Sequence, residues 1–321
     1  MSNSTIETDV STLQARWRAD LAALPSTPDN IPSFFFGHGS PMLVSKPSFM
    51  PRVGEKVMQW GGPNGPLATF LRDFGPALLE KYNPKAIVVF SAHWETDNVR
   101  LVTDYAAENP LLMDYYNFPP EMYRLQFKSH GDSVVSKRVV ELFKEAGLKA
   151  RLTPKTEPRG DDGRGYPGPG LDHGVFIPFS IMFGEELKSV PVIQASIDSS
   201  LSPEDNIAIG RAMRQLRRES ILLLSGGLTL HNLRDFQSMS PFTAKDLHKD
   251  FDKAIINAVN VADSKERKKE LIGLTTHTGF RAAHPREEHF VPIYVALGAG
   301  EEDGDAKLIG DIFGAKTVAF F

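Results

Sequence analysis

The sequence predicts an α/β fold: a single domain built as a three-layer sandwich around a mostly parallel central sheet. Three observations predict it. Short apolar runs rich in β-branched residues alternate with longer segments of helical periodicity, the pattern of strand–helix–strand units. The alternation continues along the chain without an internal repeat or a low-complexity linker. A composition of 41% apolar and 24% charged residues over 321 positions supplies one sizeable core, although length alone allows one large domain or two small ones.

Taken in order, residues 1–30 read as an N-terminal extension ahead of the main domain at 31–321. Within the extension, residues 12–24 place Leu13, Trp17, Leu21 and Leu24 near helical spacing. This predicts a short amphipathic helix that Pro25 ends and that packs on the main body. Residues 33–36 predict the first strand, and 67–82 a helix that Pro76 kinks or breaks. Residues 86–90 are wholly apolar, as expected of a central buried strand, and 99–103 predict a neighbour. A helix at 133–146 has Asp132 as N-cap and Gly147 just past its end. Strand 190–197, helix 203–218 capped by Ser202, and strand 221–225 follow. The last predicted elements are helices at 243–261 and 286–297 and strands at 307–313 and 317–320. The Pro/Gly-rich stretch 157–170 is a long loop, of the kind that serves function.

Composition narrows the chemistry. The net charge of −4 has no basic stripe in it, which argues against nucleic acid as a partner. The chain has no cysteine, so disulfides, zinc-thiolate sites, cysteine-ligated iron–sulfur clusters and a cysteine nucleophile are excluded, and any metal must be held by imidazole or carboxylate. The longest apolar runs are too short to cross a bilayer. The N-terminus has no basic, then apolar, leader pattern and carries Glu7, Asp9 and Asp20. A cytoplasmic location and no membrane partner are the expectations. HExxH, Walker A and GxSxG motifs are absent.

The histidines carry the functional signal. Phe34–Phe36 runs into Gly37-His38-Gly39-Ser40, residues 87–90 run into Ser91-Ala92-His93, and 221–224 run into Ser225-Gly226-Gly227 and then His231. Three buried strands thus each deliver an imidazole to the carboxyl edge of the sheet, where open α/β sheets bind ligands. One histidine after a strand is usually a hydrogen-bonded structural residue. Three of them, two in glycine turns, favour metal or catalytic use. His173, beside Asp172 at the end of the long loop, is a candidate acid/base group. Glu287, Glu288 and His289 are placed at the start of the helix predicted at 286–297, where the two glutamates also suit plain capping. His130, His248 and His277 read as surface residues.

Together these segments resemble the class III (LigB-type) extradiol ring-cleavage dioxygenases, closest to their DOPA-dioxygenase-like branch. The resemblance rests on Gly37-His38-Gly39-Ser40-Pro41-Met42, Ser91-Ala92-His93-Trp94, Asp114-Tyr115-Tyr116-Asn117-Phe118-Pro119, Leu171-Asp172-His173-Gly174, Gln194-Ala195-Ser196-Ile197-Asp198, His231-Asn232-Leu233-Arg234 and His284-Pro285-Arg286-Glu287-Glu288-His289. Each piece is short; their order over residues 31–300 makes the match specific. It implies a mononuclear metal with His38, His93 and His289 as ligands. His231 matches either a fourth ligand, as in zinc-loaded members, or the acid/base histidine, and His173 matches the catalytic histidine outside the ligand set. Relatives outside this branch place a glutamate where this chain offers His289, a role for Glu287 or Glu288 in a shifted register. The implied cofactor is Fe(II), although an all-histidine site also suits Zn²⁺. The implied partners are a small catechol-type substrate and O₂, with family habit adding a homodimer. Ser40, Tyr116 and Tyr123 are the candidates for substrate contact, the tyrosines as part of an aromatic wall that Phe118 extends. A zinc hydrolase on the same scaffold and a non-enzymatic metal-binding protein are the rival classes.

Overall fold

Gly37 of β1 (Ser33–Gly37) lies level with Gly227 of β6 (Ile221–Gly227), and Ser91 of β2 (Ala86–Thr96) lies level with Gly226. This register, seen in a computed structural model that describes residues 6–26, 30–159, 168–300 and 304–321, brings the carboxyl ends of three parallel strands to one edge. The remaining strands are β3 (Arg100–Asp104), β4 (Ala150–Pro154), β5 (Val192–Asp198), β7 (Ala306–Gly310) and β8 (Thr317–Phe320). The described residues form one eight-stranded sheet in the order β4-β3-β5-β2-β6-β1-β8-β7. Its central four strands are parallel, and antiparallel pairings occur only toward its flanks. β1, β2 and β6 are buried along their full lengths, which is why they read as continuous apolar runs rather than as alternation.

The helices are α1 (Val10–Ala22), α2 (Glu55–Gly61), α3 (Pro66–Tyr82), α4 (Ser133–Glu145), α5 (His173–Phe183), α6 (Pro203–Arg218), α7 (Asp246–Val259), α8 (Ser264–Gly273), α9 (Phe280–Ala283) and α10 (Pro292–Gly300). α4, α6 and α10 pack together as one layer and α1, α3 and α5 as another, giving the predicted three-layer sandwich. Asp132 and Ser202 cap α4 and α6 as predicted, each accepting backbone N–H bonds. In α1, Trp17 is buried edge-on to Phe70 and donates its indole N–H to Asp73 Oδ2 at 2.8 Å, so the N-terminal helix is bonded to α3. Among the described residues no helix is long and apolar enough to cross a membrane.

Four expectations need correction. Pro76 does not break α3, which runs unbroken over the 17 residues Pro66–Tyr82. The helix expected at 286–297 begins only at Pro292. Proline disfavours helical angles in the residue before it, and the carbonyl of His289 is committed outside any helix, to the N–H of Leu228 at 2.8 Å. The strand expected at 307–313 ends at Gly310. His248, read as a surface residue, is buried on the inner face of α7. Residues 160–167 of the predicted loop, and 1–5 and 27–29 of the predicted extension, lie outside the described residues.

Candidate active site

His38 follows β1 directly, and its backbone N–H bonds to Gly227 O at 2.9 Å, which ties it to the end of β6. His93 is within β2, because that strand continues past the predicted end to Thr96. The pairing of β2 with β5 shifts register between Phe90 and Glu95, an irregularity of the kind that re-aims side chains beside a site. His289 arrives from the turn before α10. Its backbone crosses over Gly227, where even a methyl group would sit 2.3 Å from the His289 carbonyl oxygen, so only glycine fits.

The three imidazoles converge. All three are buried, their ring centroids are 4.9–5.3 Å apart, and one ligand atom from each lies within 4.8 Å of the others. His93 Nε2 and His289 Nε2 are 3.3 Å apart. That is the separation two imidazoles keep when each binds a shared ion at about 2.1 Å. Buried nitrogen donors from three chain segments fit one divalent transition metal, either iron or zinc.

Around this triad is a second set of groups. His173 opens α5, with its ring centroid 3.9 Å from that of His93. Its ring Nδ1 and its backbone N–H both meet Asp114 Oδ1, each at 2.8 Å. Asp114 Oδ2 faces His93 Nδ1 at 3.6 Å. On the other flank, Glu288 Oε1 lies 3.0 Å from His289 Nδ1 and 3.9 Å from His231 Nδ1, and Arg286 joins Glu288 to Glu95. The His231 ring stacks on His289 with centroids 3.5 Å apart. Behind His173, Asp172 is fully enclosed. It accepts from Arg159 at 2.8 Å, Gln194 at 2.5 Å and Ser91 at 2.7 Å. Burial alone would raise its pKa, but the Arg159 guanidinium and these hydrogen bonds outweigh burial and hold the carboxyl below its ordinary value. Gly174 lets α5 approach this closely: a Cβ there would meet His93 Cδ2 and Ser91 Oγ at 2.7 Å.

Comparison with known proteins agrees with this geometry. Residues 34–319 match the family described as the catalytic LigB subunit of aromatic ring-opening dioxygenase. The chain belongs to the LigB family.

Two relatives resemble it over about nine tenths or more of their lengths. A 4,5-DOPA dioxygenase extradiol-like protein of Schizosaccharomyces pombe is 38% identical, with 95% of this chain and 96% of the relative covered. The 4,5-DOPA dioxygenase extradiol of Beta vulgaris is 30% identical over 88% and 91%. A crystal structure of an uncharacterized protein from Escherichia coli K12 shares the fold, with a TM-score of 0.62, 22% identity, and 91% of this chain and all of that chain covered. Membership makes the chain a dioxygenase of the oxidoreductase class, and LigB dioxygenases are non-haem metal enzymes.

The predicted residues fall into groups in this LigB chain. His38, His93 and His289 form the inner triad, while His231 joins Glu288 and His289 in an overlapping group. Glu287 is turned to Arg281, with which it forms an ion pair away from the triad. Ser40 caps the short 3-10 turn Pro41–Val44 by accepting from Met42 N–H at 3.2 Å, and it lines an apolar pocket with Trp60, Leu228 and Phe313. Tyr116 is 68% exposed. Its neighbour Tyr115 is buried edge-on to His173, centroids 5.7 Å apart, and Tyr123 packs on Tyr115. Sequence reasoning missed the parts played by Asp114 and Tyr115; both lay within a quoted segment, yet nothing local in that segment points toward His173.

His284 is a structural histidine beside the site. It bonds Thr229 O at 3.0 Å, packs against Phe251, Phe280 and Phe290, and burial pushes its pKa down to about 4 from an ordinary 6.5. The unfolded chain therefore takes up this proton more readily than the folded one. The stability contributed is complete above pH 6.5 and is lost as the pH falls toward 4, up to ~3 kcal/mol. Urea unfolding of metal-free protein across this window is expected to show a steeper pH dependence than in His284→Phe; equal slopes would contradict the assignment.

Proposed function

We propose that the protein is a metal-dependent extradiol dioxygenase that opens a catechol-type ring with O₂ and uses Fe(II). The carrying observation is the buried convergence of His38, His93 and His289 at the carboxyl edge of the sheet, with His173 alongside. Those three histidines would hold the metal. When bound, the ion supplies Lewis acidity toward the catechol and a place for O₂ beside it.

The protein groups then have distinct tasks. The Nδ1 of His173 faces a carboxylate, so its Nε2 is the end available to take a hydroxyl proton from the substrate and return it during ring opening. Tyr115 forms a wall against His173, and burial raises its pKa, which keeps the phenol protonated with its O–H given to the carbonyl of Met122. His231 is less buried than the triad and stacked on His289; beside Glu288 it would either lend a further imidazole to the metal or carry protons at the edge of the site. The balance needs no external reductant. Catechol and O₂ together contain all the atoms of the ring-opened semialdehyde acid, with the C–C bond beside the hydroxyls and the O–O bond both broken and the electrons drawn from the ring.

The test is anaerobic loading with Fe(II), then exposure to a panel of catechols and O₂. The expected result is oxygen uptake with a yellow ring-fission product. No oxygen uptake and no yellow product with any catechol, together with O₂-independent hydrolysis in Zn²⁺-loaded protein, would overturn the proposal in favour of a zinc hydrolase.

A further inference from the structure

We propose that Asp114 is a positioning residue that serves two histidines at once: it fixes His173 with its proton on Nδ1, and it turns the bare Nε2 of His93 toward His289. The proposal rests on the reading of His93 as a metal ligand and goes beyond it by naming what orients that ligand.

Asp114 owes its place to chain pairing rather than to an element of its own. Leu112 N–H bonds Leu171 O at 2.8 Å and Leu171 N–H bonds Pro110 O at 2.9 Å, so the segment after β3 is held against the start of α5. Asp114 is buried there. Its Oδ1 takes the backbone N–H of His173, the first residue of an 11-residue buried helix, so the carboxylate also sits at the positive end of the helix dipole. The same oxygen meets the ring Nδ1 at 2.8 Å. An ionised carboxylate only accepts, so the nitrogen facing it carries the hydrogen and the other nitrogen of the neutral ring is an acceptor.

The second oxygen extends the same logic to His93. Oδ2 faces His93 Nδ1 at 3.6 Å, longer than a hydrogen bond but close enough to favour a proton on that nitrogen. On the far flank Glu288 does the same for His289 Nδ1 at 3.0 Å. The two Nε2 atoms meet at 3.3 Å in a contact whose donor and acceptor depend on the tautomers. With hydrogens on both outer nitrogens, each Nε2 would offer its lone pair to one shared cation. Carboxylates behind ligating imidazoles orient ligands in this way, and their loss costs about 10–100-fold in metal affinity.

Asp114→Asn isolates the effect. The amide oxygen can still accept both bonds from His173, but the amide N–H₂ donates toward His93 Nδ1, which requires the His93 tautomer with its proton on Nε2. Two readouts apply: ring ¹⁵N shifts of metal-free protein, and Zn²⁺ affinity by competition with a chelator. The expected result is a tautomer change at His93, none at His173, and Zn²⁺ affinity about 10–100-fold lower. Unchanged His93 shifts and unchanged affinity would overturn the proposal. The unsubstituted protein gives a test that needs no variant: ¹⁵N shifts showing His93 or His173 protonated on Nε2 also overturn it. His93→Ala separates the two levels. If it binds Zn²⁺ as tightly as the unsubstituted protein, the ligand reading itself fails; if it loses Zn²⁺ while Asp114→Asn does not, only the role of Asp114 fails.

Discussion

Replacing His93 by alanine is expected to leave the protein folded, empty of metal after dialysis, and at least about 100-fold less active in ring opening. The argument is one of donor count. The inner triad offers three imidazoles, and His93 stands between the other two groups of the site, 4.9 Å from His289 and 3.9 Å from His173 by ring centroid. Loss of an outer-shell carboxylate already costs about 10–100-fold in metal affinity, and loss of a ligand costs more. The fold is expected to survive because the substitution removes a polar ring in the carboxyl half of β2, beyond the apolar run at 86–90. Elemental analysis with a thermal melt of the metal-free protein checks both halves. A variant that keeps a full metal complement would contradict the ligand assignment.

Arg159→Ala is expected to lower folding stability by ~3–5 kcal/mol, the usual cost of stranding one partner of a buried ion pair. The side chains of Arg159 and Asp172 are both fully buried. The guanidinium also donates to Gly170 O at 3.1 Å and lies 4.3 Å over the ring of Trp94. Among the described residues its removal leaves the Asp172 carboxylate with Gln194 and Ser91 as side-chain donors, in a place that disfavours charge. The sign with pH follows: a carboxyl held below its ordinary pKa stabilises the fold above the ordinary carboxylate range, and that contribution is lost as acid protonates it. Urea unfolding at neutral pH measures the loss. The double variant Arg159→Met with Asp172→Asn is expected to recover part of it, because no buried charge is then left unpaired. A loss below ~1 kcal/mol in Arg159→Ala would show that water reaches the pair.

The parts of the fold visible in sequence were those with a local signal. β1, β2 and β6 showed as unbroken apolar runs, and α4 and α6 showed through Asp132 and Ser202. Elements without such signals went unread. α5 is buried on nearly every side, so it has no amphipathic stripe, and Gly174 and Pro178 obscure it further. α8 has the opposite problem: only Arg267 and Leu271 are buried in a helix of charged residues. β4 is a five-residue edge strand with two buried positions.

The site divides in the same way. His38, His93 and His231 come after apolar runs, so the sequence places them at one edge, and the glycines in the His38 and His231 segments mark close backbone approach. Asp114 and His173 are 59 positions apart and meet only because Leu112 and Leu171 pair. Glu288 looked like a helix cap because the helix was expected to begin at 286; with the start at Pro292 it becomes the partner of His289. Tyr115 and Tyr116 are adjacent in sequence, and only packing decides which one lies against His173.

The proposed reaction of this histidine site inserts both atoms of O₂ into a catechol. Its most direct test is turnover of Fe(II)-loaded protein under ¹⁸O₂ with mass analysis of the product. The expected result is a ring-opened product carrying both labelled atoms, after allowance for exchange of the aldehyde oxygen with water. A product with no label, or one formed equally well without oxygen by the Zn²⁺-loaded protein, would contradict it.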